Sequence, residues 1–388
     1  MLGGAQRGFL GTAVAAAGGR LRTSLATQVA RQTRGGVVAA YRATVAWPDG
    51  SVTDETFAAC TGSLPDGTLH LDDGRRAVAV WRFPFDPDLP GLAKANDETA
   101  MAELLSDLGL GGGPVRCIVR AYRPRRRAVI EVRGPKGRVF VKVLRPKRVE
   151  QLHQRHRLLV ANDVPAPHSL GWTDDGLLVL QSLPGPTLRD AIFRNAPVPP
   201  GAAILAMLDR LPEQLIDSPW RSSWLERVDH YADVAAAIVP EHAQRVLALA
   251  ATIRAEAGVG PTVPVHGDFY EAQLIVDGPS ITGLLDVDGA GPGDRLDDLG
   301  CLLGHLSVLA AGDPERSARI NEVGAEYLAS FDLKYSPADL RYRTAAVVVS
   351  LLSGPHRVQD PNWEAATVHL IDLAERWLAS AQQAAGRR

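Results

Sequence analysis

Residues 265–294 read VHGDFYEAQLIVDGPSITGLLDVDGAGPGD, and this stretch constrains the fold more than any other part of the chain. Two apolar runs, at 274–276 and 281–285, flank the turn sequence DGPS, which predicts a β-hairpin. Three carboxylates lie near these runs, at Asp268, Asp286 and Asp288. Burying a carboxylate is costly unless it is paired or binds a metal ion. The stretch therefore predicts a hairpin whose carboxylates have a chemical role.

The predicted hairpin gathers oxygen ligands at its open end. Folding the chain about the middle of the turn brings Gln273 nearly opposite Asp286. Asp268 precedes Gln273 by five residues, on the loop that leads to the same end. Carboxylate and amide oxygens are hard ligands that suit Mg²⁺, which takes one or two carboxylates and completes its shell with water and phosphate. The sequence thus predicts a magnesium site.

The spacing of these residues is similar to that of a known family. His-Gly-Asp at 266–268 is followed by an amide five residues after Asp268 and by Asp286 eighteen residues after it. This pattern resembles the catalytic loop and metal-binding Asp of the aminoglycoside phosphotransferase and choline kinase family, which has a protein-kinase-like fold. The later stretch GPGDRLDDLG, residues 291–300, is also similar to a motif of that family. The resemblance implies an α+β bilobal fold with a small β-rich N-lobe and a large, mostly helical C-lobe, here with an extra N-terminal α/β segment.

The resemblance also implies roles for single residues. Asp268 would orient the acceptor hydroxyl and accept its proton, while Asp298 would brace the catalytic loop. The position of Gln273 usually holds an Asn in this family, but a maltokinase-like sugar kinase branch carries Gln there. That branch has an acidic residue two positions after the metal-binding Asp, and Asp288 matches it. The implied metal-binding set is therefore Gln273, Asp286 and Asp288.

A lysine in a strand pattern indicates where the nucleotide binds. Lys142, in RVFVKVLRP, has apolar neighbours, although Lys is rarely buried without a partner. The resemblance implies that Lys142 contacts the phosphates of ATP and pairs with Glu150 on the next helix. The backbone of Gln181, Ser182 and Leu183 would hydrogen-bond the adenine. The alternative for Lys142 is an outward-facing position on an edge strand.

The loop expected to cover the phosphates is RPRRR, residues 123–127, which contains no glycine. Its residues Arg125, Arg126 and Arg127 either contact phosphates or form a solvated turn. The sequence leaves both possibilities open.

Alternating patterns and turn signals divide the chain into three predicted regions: a cap-like accessory segment at 1–110, a kinase N-lobe at 113–183, and a helical C-lobe at 184–388. The accessory segment contains four short strand patterns, at 37–47, 56–62, 69–73 and 76–84. Its Arg-rich start, with no acidic residue before Asp49, suits either an organelle transit peptide or a helix at about 12–33. The Arg and Ala bias of the rest of the chain favours the helix.

Composition excludes several functional classes. The chain has 388 residues and a net charge of −2, which gives no reason to expect nucleic acid or an anionic membrane as a partner. It has three widely separated cysteines and no apolar run as long as the roughly 18–20 residues of a membrane span. We therefore expect a cytoplasmic protein.

Together these features predict an ATP- and Mg²⁺-dependent phosphotransferase that acts on a hydroxyl of a small molecule. A sugar or amino sugar is the favoured acceptor. An aminoglycoside phosphotransferase of the antibiotic-resistance type is the first alternative. A nucleotide-binding pseudokinase, which would act as a sensor or scaffold, is the second. The sequence does not identify the acceptor, the role of residues 1–110 or the oligomeric state.

Overall fold

The computed structural model describes residues 4–32, 35–72, 74 and 77–386, which form two units. The first unit comprises residues 1–154, 168–182 and 357–359, and the second comprises 155–167, 183–356 and 360–388. Each unit has its own buried core. Among the described residues, no helix combines the length and the apolar character required to cross a lipid bilayer.

The N-terminal part of the first unit is a helix packed on an antiparallel sheet. Its elements are α1 (Gly4–Ala16), β1 (Arg20–Arg31), β2 (Val37–Ala46), β3 (Val52–Cys60), β4 (Leu69–Asp72) and β5 (Ala77–Arg82). The strands pair in the order β1-β2-β3-β5-β4. Leu10 and Val14 of α1 are buried against Tyr41 and Val45 of β2, which supplies the core of this sheet. The four predicted strands are confirmed, although the outer ends of two of them, residues 73 and 76, lie outside the described residues.

The predicted helix at about 12–33 is wrong for most of its length. Helix α1 ends at Ala16, because Gly18 adopts φ +83° and Gly19 donates its N–H back to the carbonyl of Val14. A glycine with positive φ is a common helix terminator. The following sequence RLRTSLATQVAR then forms β1, which pairs along its length with β2. Pairing with the neighbouring strand decided the conformation of a segment whose composition also suits a helix.

A second sheet forms the predicted N-lobe. It consists of β6 (Arg116–Arg123), β7 (Arg127–Gly134), β8 (Gly137–Val143), β9 (Ser169–Trp172) and β10 (Leu177–Gln181), in the order β6-β7-β8-β10-β9. Helix α4 (Pro146–Ala161) follows β8, as predicted. All the ladders are antiparallel. Strand β8 lies between β7 and β10, so it is an interior strand and not an edge strand.

Helices from the predicted accessory segment pack on this second sheet. They are α2 (Leu92–Ala95) and α3 (Glu98–Asp107), and Asp97 caps α3 by accepting a hydrogen bond from the N–H of Ala100. Leu92, Met101 and Leu105 are buried together with Ile130 and Val141 of the sheet. The segment 86–107 thus supplies six of the fifteen described buried residues of this core.

The second unit is mostly helical, as predicted, and contains two short strand pairs. Its helices are α5 (Leu188–Phe193), α6 (Gly201–Asp209), α7 (Val228–Ala236), α8 (Ala243–Glu256), α9 (Arg295–Gly312), α10 (Ser317–Asp332), α11 (Pro337–Leu351), α12 (Gly354–Arg357) and α13 (Trp363–Ala385). Its strands are β11 (Thr262–Val265), β12 (Leu274–Asp277), β13 (Ser280–Leu284) and β14 (Gly291–Asp294), and β11 pairs with β14 while β12 pairs with β13. Helices α7, α8, α11 and α13 enclose the main core of this unit.

Gly176, in the turn between β9 and β10, permits the closest backbone approach in the second sheet. It has φ +99°, and a Cβ atom there would lie 2.2 Å from the carbonyl oxygen of Leu144. We expect Gly176→Ala to lower the free energy of unfolding by about 3 kcal/mol or more, because backbone strain and the clash add together. Gly137, at the start of β8, is the matched control, since it has φ +119° and open space around it.

Chemical denaturation of both variants tests this expectation. Gly137→Ala incurs only the conformational strain of about 1–3 kcal/mol. Equal losses for the two variants would mean that the contact with Leu144 has no energetic consequence.

Candidate active site

The loop that carries Asp268 is fixed by a buried carboxylate. Asp298, in the first turn of α9, accepts hydrogen bonds from the backbone N–H groups of His266 at 2.7 Å and Gly267 at 2.8 Å. Burial raises the pKa of Asp298, while His266 and Arg295 act in the opposite direction. The His266 ring lies within 2.8 Å of the carbonyl oxygen of Leu285, through Nε2. The loop is thus tied both to α9 and to the end of the hairpin, as expected of a brace.

Gly267 allows this loop to approach the turn that follows the hairpin. It has φ +80°, and a Cβ atom there would lie 2.6 Å from the carbonyl oxygen of Gly289. Only glycine combines that dihedral angle with so close a backbone contact. The middle residue of the His-Gly-Asp motif is therefore a packing requirement.

The predicted hairpin is present as β12 and β13. Leu274 pairs with Leu284, and a register shift follows between Ile275 and Val276. The N–H of Leu285 donates to the carbonyl of Gln273 at 2.7 Å, so Gln273 lies one residue out of register from the expected position opposite Asp286. The Gln273 side chain is 7% exposed.

Asp286 lies at the point where the chain leaves the hairpin. It adopts left-handed backbone angles, φ 53° and ψ 47°, and precedes the short 3₁₀ turn Val287–Gly289. Such a conformation is uncommon for a residue with a side chain and is often found at functional sites. Asp288 lies within this turn, where its carbonyl oxygen accepts a hydrogen bond from Arg155 at 2.7 Å.

The pKa of the Tyr270 hydroxyl is affected by two nearby carboxylates. Burial is the main cause that raises the pKa of its hydroxyl to about 12, and the carboxylates of Asp268 and Asp286 contribute next. Both carboxylates therefore act on the same ring from two different segments of the chain. That these residues bind one metal ion together stays a prediction.

The sequence analysis did not identify two side chains that lie beside Asp268. Cys301 and His305 of α9 have ligand atoms that lie, with a carboxylate oxygen of Asp268, within 4.8 Å of one another. Within the described residues this is the group of three His, Cys, Asp or Glu side chains close enough to bind one ion, and it contains neither Asp286 nor Asp288. His305 also stacks on Tyr270, with ring centroids 4.2 Å apart. Their four-residue spacing was the available signal, because on a helix it places both side chains on one face.

Glu271 is a second buried acid that the sequence analysis passed over. It is fully buried, and Arg189 donates to it through Nε at 2.9 Å and Nη2 at 2.6 Å. Burial raises the pKa of Glu271, and Arg189 opposes that shift. Arg189 also lies 5.9 Å from the ring centroid of Tyr270. This pair holds the residues between Asp268 and Gln273 in place.

Lys142 belongs to the first unit, on the interior strand β8. It pairs with Val129 on one side and Leu178 on the other, and it is 8% exposed. The alternative of an outward-facing Lys on an edge strand is therefore excluded. A lysine in such a position needs a compensating partner.

The other predicted nucleotide contacts also lie in or next to the first unit. Glu150 is exposed near the start of α4, and its pairing with Lys142 stays a prediction. Gln181 ends β10 and donates its N–H to the carbonyl of His168 at 2.9 Å. Ser182 accepts a hydrogen bond from Arg138 at 2.8 Å, and Leu183 begins the next part of the second unit. Their contacts with adenine stay predictions.

Arg125 follows neither of the two possibilities that the sequence left open. Its side chain is neither a solvated turn residue nor free for phosphates, because it donates to Asp88 at 2.8 Å and to the carbonyl of Ser63 at 3.1 Å. The accessory segment therefore binds the loop expected to cover the phosphates.

Comparisons with solved structures relate the fold to known proteins. A protein of Ralstonia eutropha JMP134, described as a candidate aminoglycoside phosphotransferase, is 14% identical over 74% of this chain and 98% of its own, with a TM-score of 0.52. The gentamicin complex of the aminoglycoside phosphotransferase APH(2")-IIa is 14% identical over 71% of this chain and 96% of its own, with a TM-score of 0.49. The macrolide 2'-phosphotransferase MphH of Brachybacterium faecium is 20% identical over 71% and 97%, with a TM-score of 0.42.

Comparison by sequence identifies the family. Among curated proteins none matches the chain significantly. Residues 122–336 match the model described as the phosphotransferase enzyme family, and these 215 residues are more than half of the 388. The matched range includes the second sheet from the end of β6 onward, the loop of Asp268 and the hairpin. The chain therefore belongs to the phosphotransferase enzyme family and has its protein-kinase-like α+β fold.

Proposed function

We propose that this phosphotransferase transfers the γ-phosphoryl group of Mg·ATP to a hydroxyl of a sugar or amino sugar. The observation that carries the proposal is the loop of Asp268, which two backbone hydrogen bonds to Asp298 hold beside the open end of the hairpin. Phosphoryl transfer depends almost entirely on positioning and electrostatic stabilisation. A loop fixed in this way suits that requirement.

Asp268 would orient the acceptor hydroxyl and accept its proton as the new P–O bond forms. Its backbone N–H lies 3.4 Å from Nδ1 of His266, whose ring is held in turn at the carbonyl of Leu285. The carboxylate is therefore presented by a backbone that has little freedom to move. Pre-organisation of this kind places the base correctly before the reaction begins.

The donor set at the hairpin end fits a magnesium ion. Gln273, Asp286 and Asp288 would hold it, with one amide and two carboxylate oxygens, and such hard donors are those that Mg²⁺ prefers. The left-handed backbone at Asp286 is the structural observation that favours a ligand role. When bound, the ion would supply positive charge next to the phosphates of the nucleotide. Lys142 would contact those phosphates from β8, and Gln181, Ser182 and Leu183 would bind the adenine.

Charge pairing in the second unit supports a neutral acceptor. Several of its acidic side chains are already paired with arginine, namely Asp372 and Glu375 with Arg245, Asp332 with Arg341, Asp294 and Asp297 with Arg343, and Glu271 with Arg189. A polycationic aminoglycoside requires acidic groups that are not already neutralised. This pairing favours a sugar over an aminoglycoside.

A cytoplasmic location is part of the proposal. All three cysteines, Cys60, Cys117 and Cys301, are free thiols. Thiols stay reduced in the cytosol, where ATP is also available.

Replacement of the catalytic carboxylate provides the first test. We expect Asp268→Asn to reduce phosphate transfer by about 10²–10⁴-fold, because the amide cannot accept the hydroxyl proton. Transfer of labelled phosphate from ATP to a panel of sugars, amino sugars, choline and aminoglycosides measures this rate. Asp277→Asn is the matched control, since Asp277 is exposed at the turn end of the same hairpin.

The panel also separates the candidate functions. Transfer to aminoglycosides alone would show that the acceptor is an aminoglycoside, as in enzymes of the resistance type, and not a sugar. Tight ATP binding without transfer to any acceptor, unchanged in Asp268→Asn, would contradict the proposed reaction and favour a sensor.

Replacement of the metal ligands provides the second test. We expect Asp286→Asn to raise the Mg²⁺ concentration at half-maximal activity by about tenfold or more, a change of about 1.4 kcal/mol in binding free energy. Gln273→Leu removes the donor oxygen at nearly constant size and should act in the same direction. Gln273→Asn keeps the oxygen and should retain most of the activity. An unchanged Mg²⁺ dependence in both Asp286→Asn and Gln273→Leu would exclude these residues as ligands.

A further inference from the structure

The turn between β6 and β7, residues 124–126, is held by the N-terminal segment of the same unit. This turn is part of the loop 123–127, which is expected from its position in the sequence to cover the nucleotide phosphates. Its contacts come from residues 60–88, a part of the chain to which neither the family match nor the catalytic loop extends.

Asp86 is the centre of the contact. It is 4% exposed, and its Oδ2 accepts hydrogen bonds from the Tyr122 hydroxyl at 2.7 Å and from the backbone N–H of Arg125 at 2.8 Å. Its Oδ1 accepts from the N–H of Asp88 at 2.9 Å. Trp81 donates through Nε1 to the oxygen of Tyr122 at 3.0 Å. Burial raises the pKa of Asp86, and the hydrogen bonds from Arg125 and Tyr122 oppose that shift.

This arrangement requires both side-chain oxygens of residue 86 to accept hydrogen bonds. Each of the three groups that contact the Asp86 side chain donates a hydrogen bond, so a carboxylate satisfies all three. An amide would present an NH₂ group to one of these donors, and an unsatisfied buried polar group is costly. Asparagine at this position would therefore release at least one contact at nearly constant size.

Arg125 is held in a conformation that it would not adopt alone. It has φ 64°, in the left-handed region that side chains other than glycine rarely occupy. Its Nε donates to Asp88, and Arg145 donates to both Asp88 and the carbonyl of Arg125, at 3.0 Å and 2.9 Å. Both the backbone and the side chain of the turn are thus fixed by two aspartates of the N-terminal segment.

We propose that Asp86 and Asp88 are positioning residues that hold the loop 123–127 in its nucleotide-binding conformation. The N-terminal segment then serves ATP binding without contacting ATP. This inference rests on the proposed function, because it requires that the loop covers phosphates. It gives residues 1–110 a role that their sequence did not indicate.

Hydrogen exchange tests the bracing itself and requires no nucleotide. We expect Asp86→Asn to increase exchange at the amide of Arg125 by about tenfold or more, because that amide loses its acceptor or gains a weaker one. Asp88→Asn is the milder second variant, since it leaves the Asp86 contacts in place and the Asp88 side chain is 25% exposed. Asp49→Asn is the matched control, since Asp49 is exposed in the same segment and accepts hydrogen bonds from Ser51.

Nucleotide affinity then tests the positioning role. We expect the dissociation constant of a non-hydrolysable ATP analogue to rise by about tenfold in Asp86→Asn and by less in Asp88→Asn, within the usual range of coupling between sites. The KM for ATP should rise with it, while the KM for the acceptor and the melting temperature of Asp88→Asn stay close to those of the unaltered protein. A general loss of structure would instead change both KM values together.

Two results would overturn the inference. One is unchanged exchange at Arg125 in both variants. The other is increased exchange with unchanged ATP affinity, which would make the contact purely structural. Failure of the unaltered protein to bind any nucleotide would contradict the proposed function instead, and the exchange experiment would still report on the bracing.

Discussion

The geometry of the candidate active site depends on the hydrogen bonds that Asp298 accepts from two consecutive backbone N–H groups, those of His266 and Gly267. These bonds satisfy donors that would otherwise be buried without a partner, and they fix the direction in which the chain reaches Asp268. Asp298 lies in the first turn of α9, where the helix dipole stabilises negative charge. The loop is thereby attached to the first turn of α9, a helix with most of its residues buried.

Other buried carboxylates in this unit are also compensated by groups close to them. Glu271 is neutralised by Arg189, and Asp294 and Asp297 by Arg343, which is itself 4% exposed. Burial raises the pKa of Asp297 to about 6, and Arg343 is the largest influence in the other direction. Each pair lies at the edge of the catalytic loop or of α9. The carboxylates of Asp268 and Asp286 both add to the effect of burial in raising the pKa of Tyr270.

The N-terminal segment is integrated with the second sheet through both apolar and polar contacts. Residues of α2 and α3 share a core with β7 and β8, while Trp81 and Asp86 reach Tyr122 through buried hydrogen bonds. Here the segment 86–107 completes the N-lobe core, so the two sheets of the first unit are connected by more than the chain itself.

Local patterns in the sequence determined most of the secondary structure, including the hairpin that follows the loop of Asp268. Alternating apolar residues and turn signals specified the hairpin at 274–284 and four of the five N-terminal strands, because those signals act over a few residues. Fixed spacing from Asp268 predicted Gln273 and Asp286 as metal ligands, since a short hairpin leaves little freedom in which residues lie opposite each other, and this role stays a prediction. Strand β1 was not predicted, because its composition also suits a helix. Only its pairing with β2 distinguishes the strand from the helix. The contacts of Asp268 with Cys301 and His305, and of Arg125 with Asp88, join residues more than thirty positions apart. Tertiary packing alone decided them, because no local interaction records which distant side chain will fill a given place.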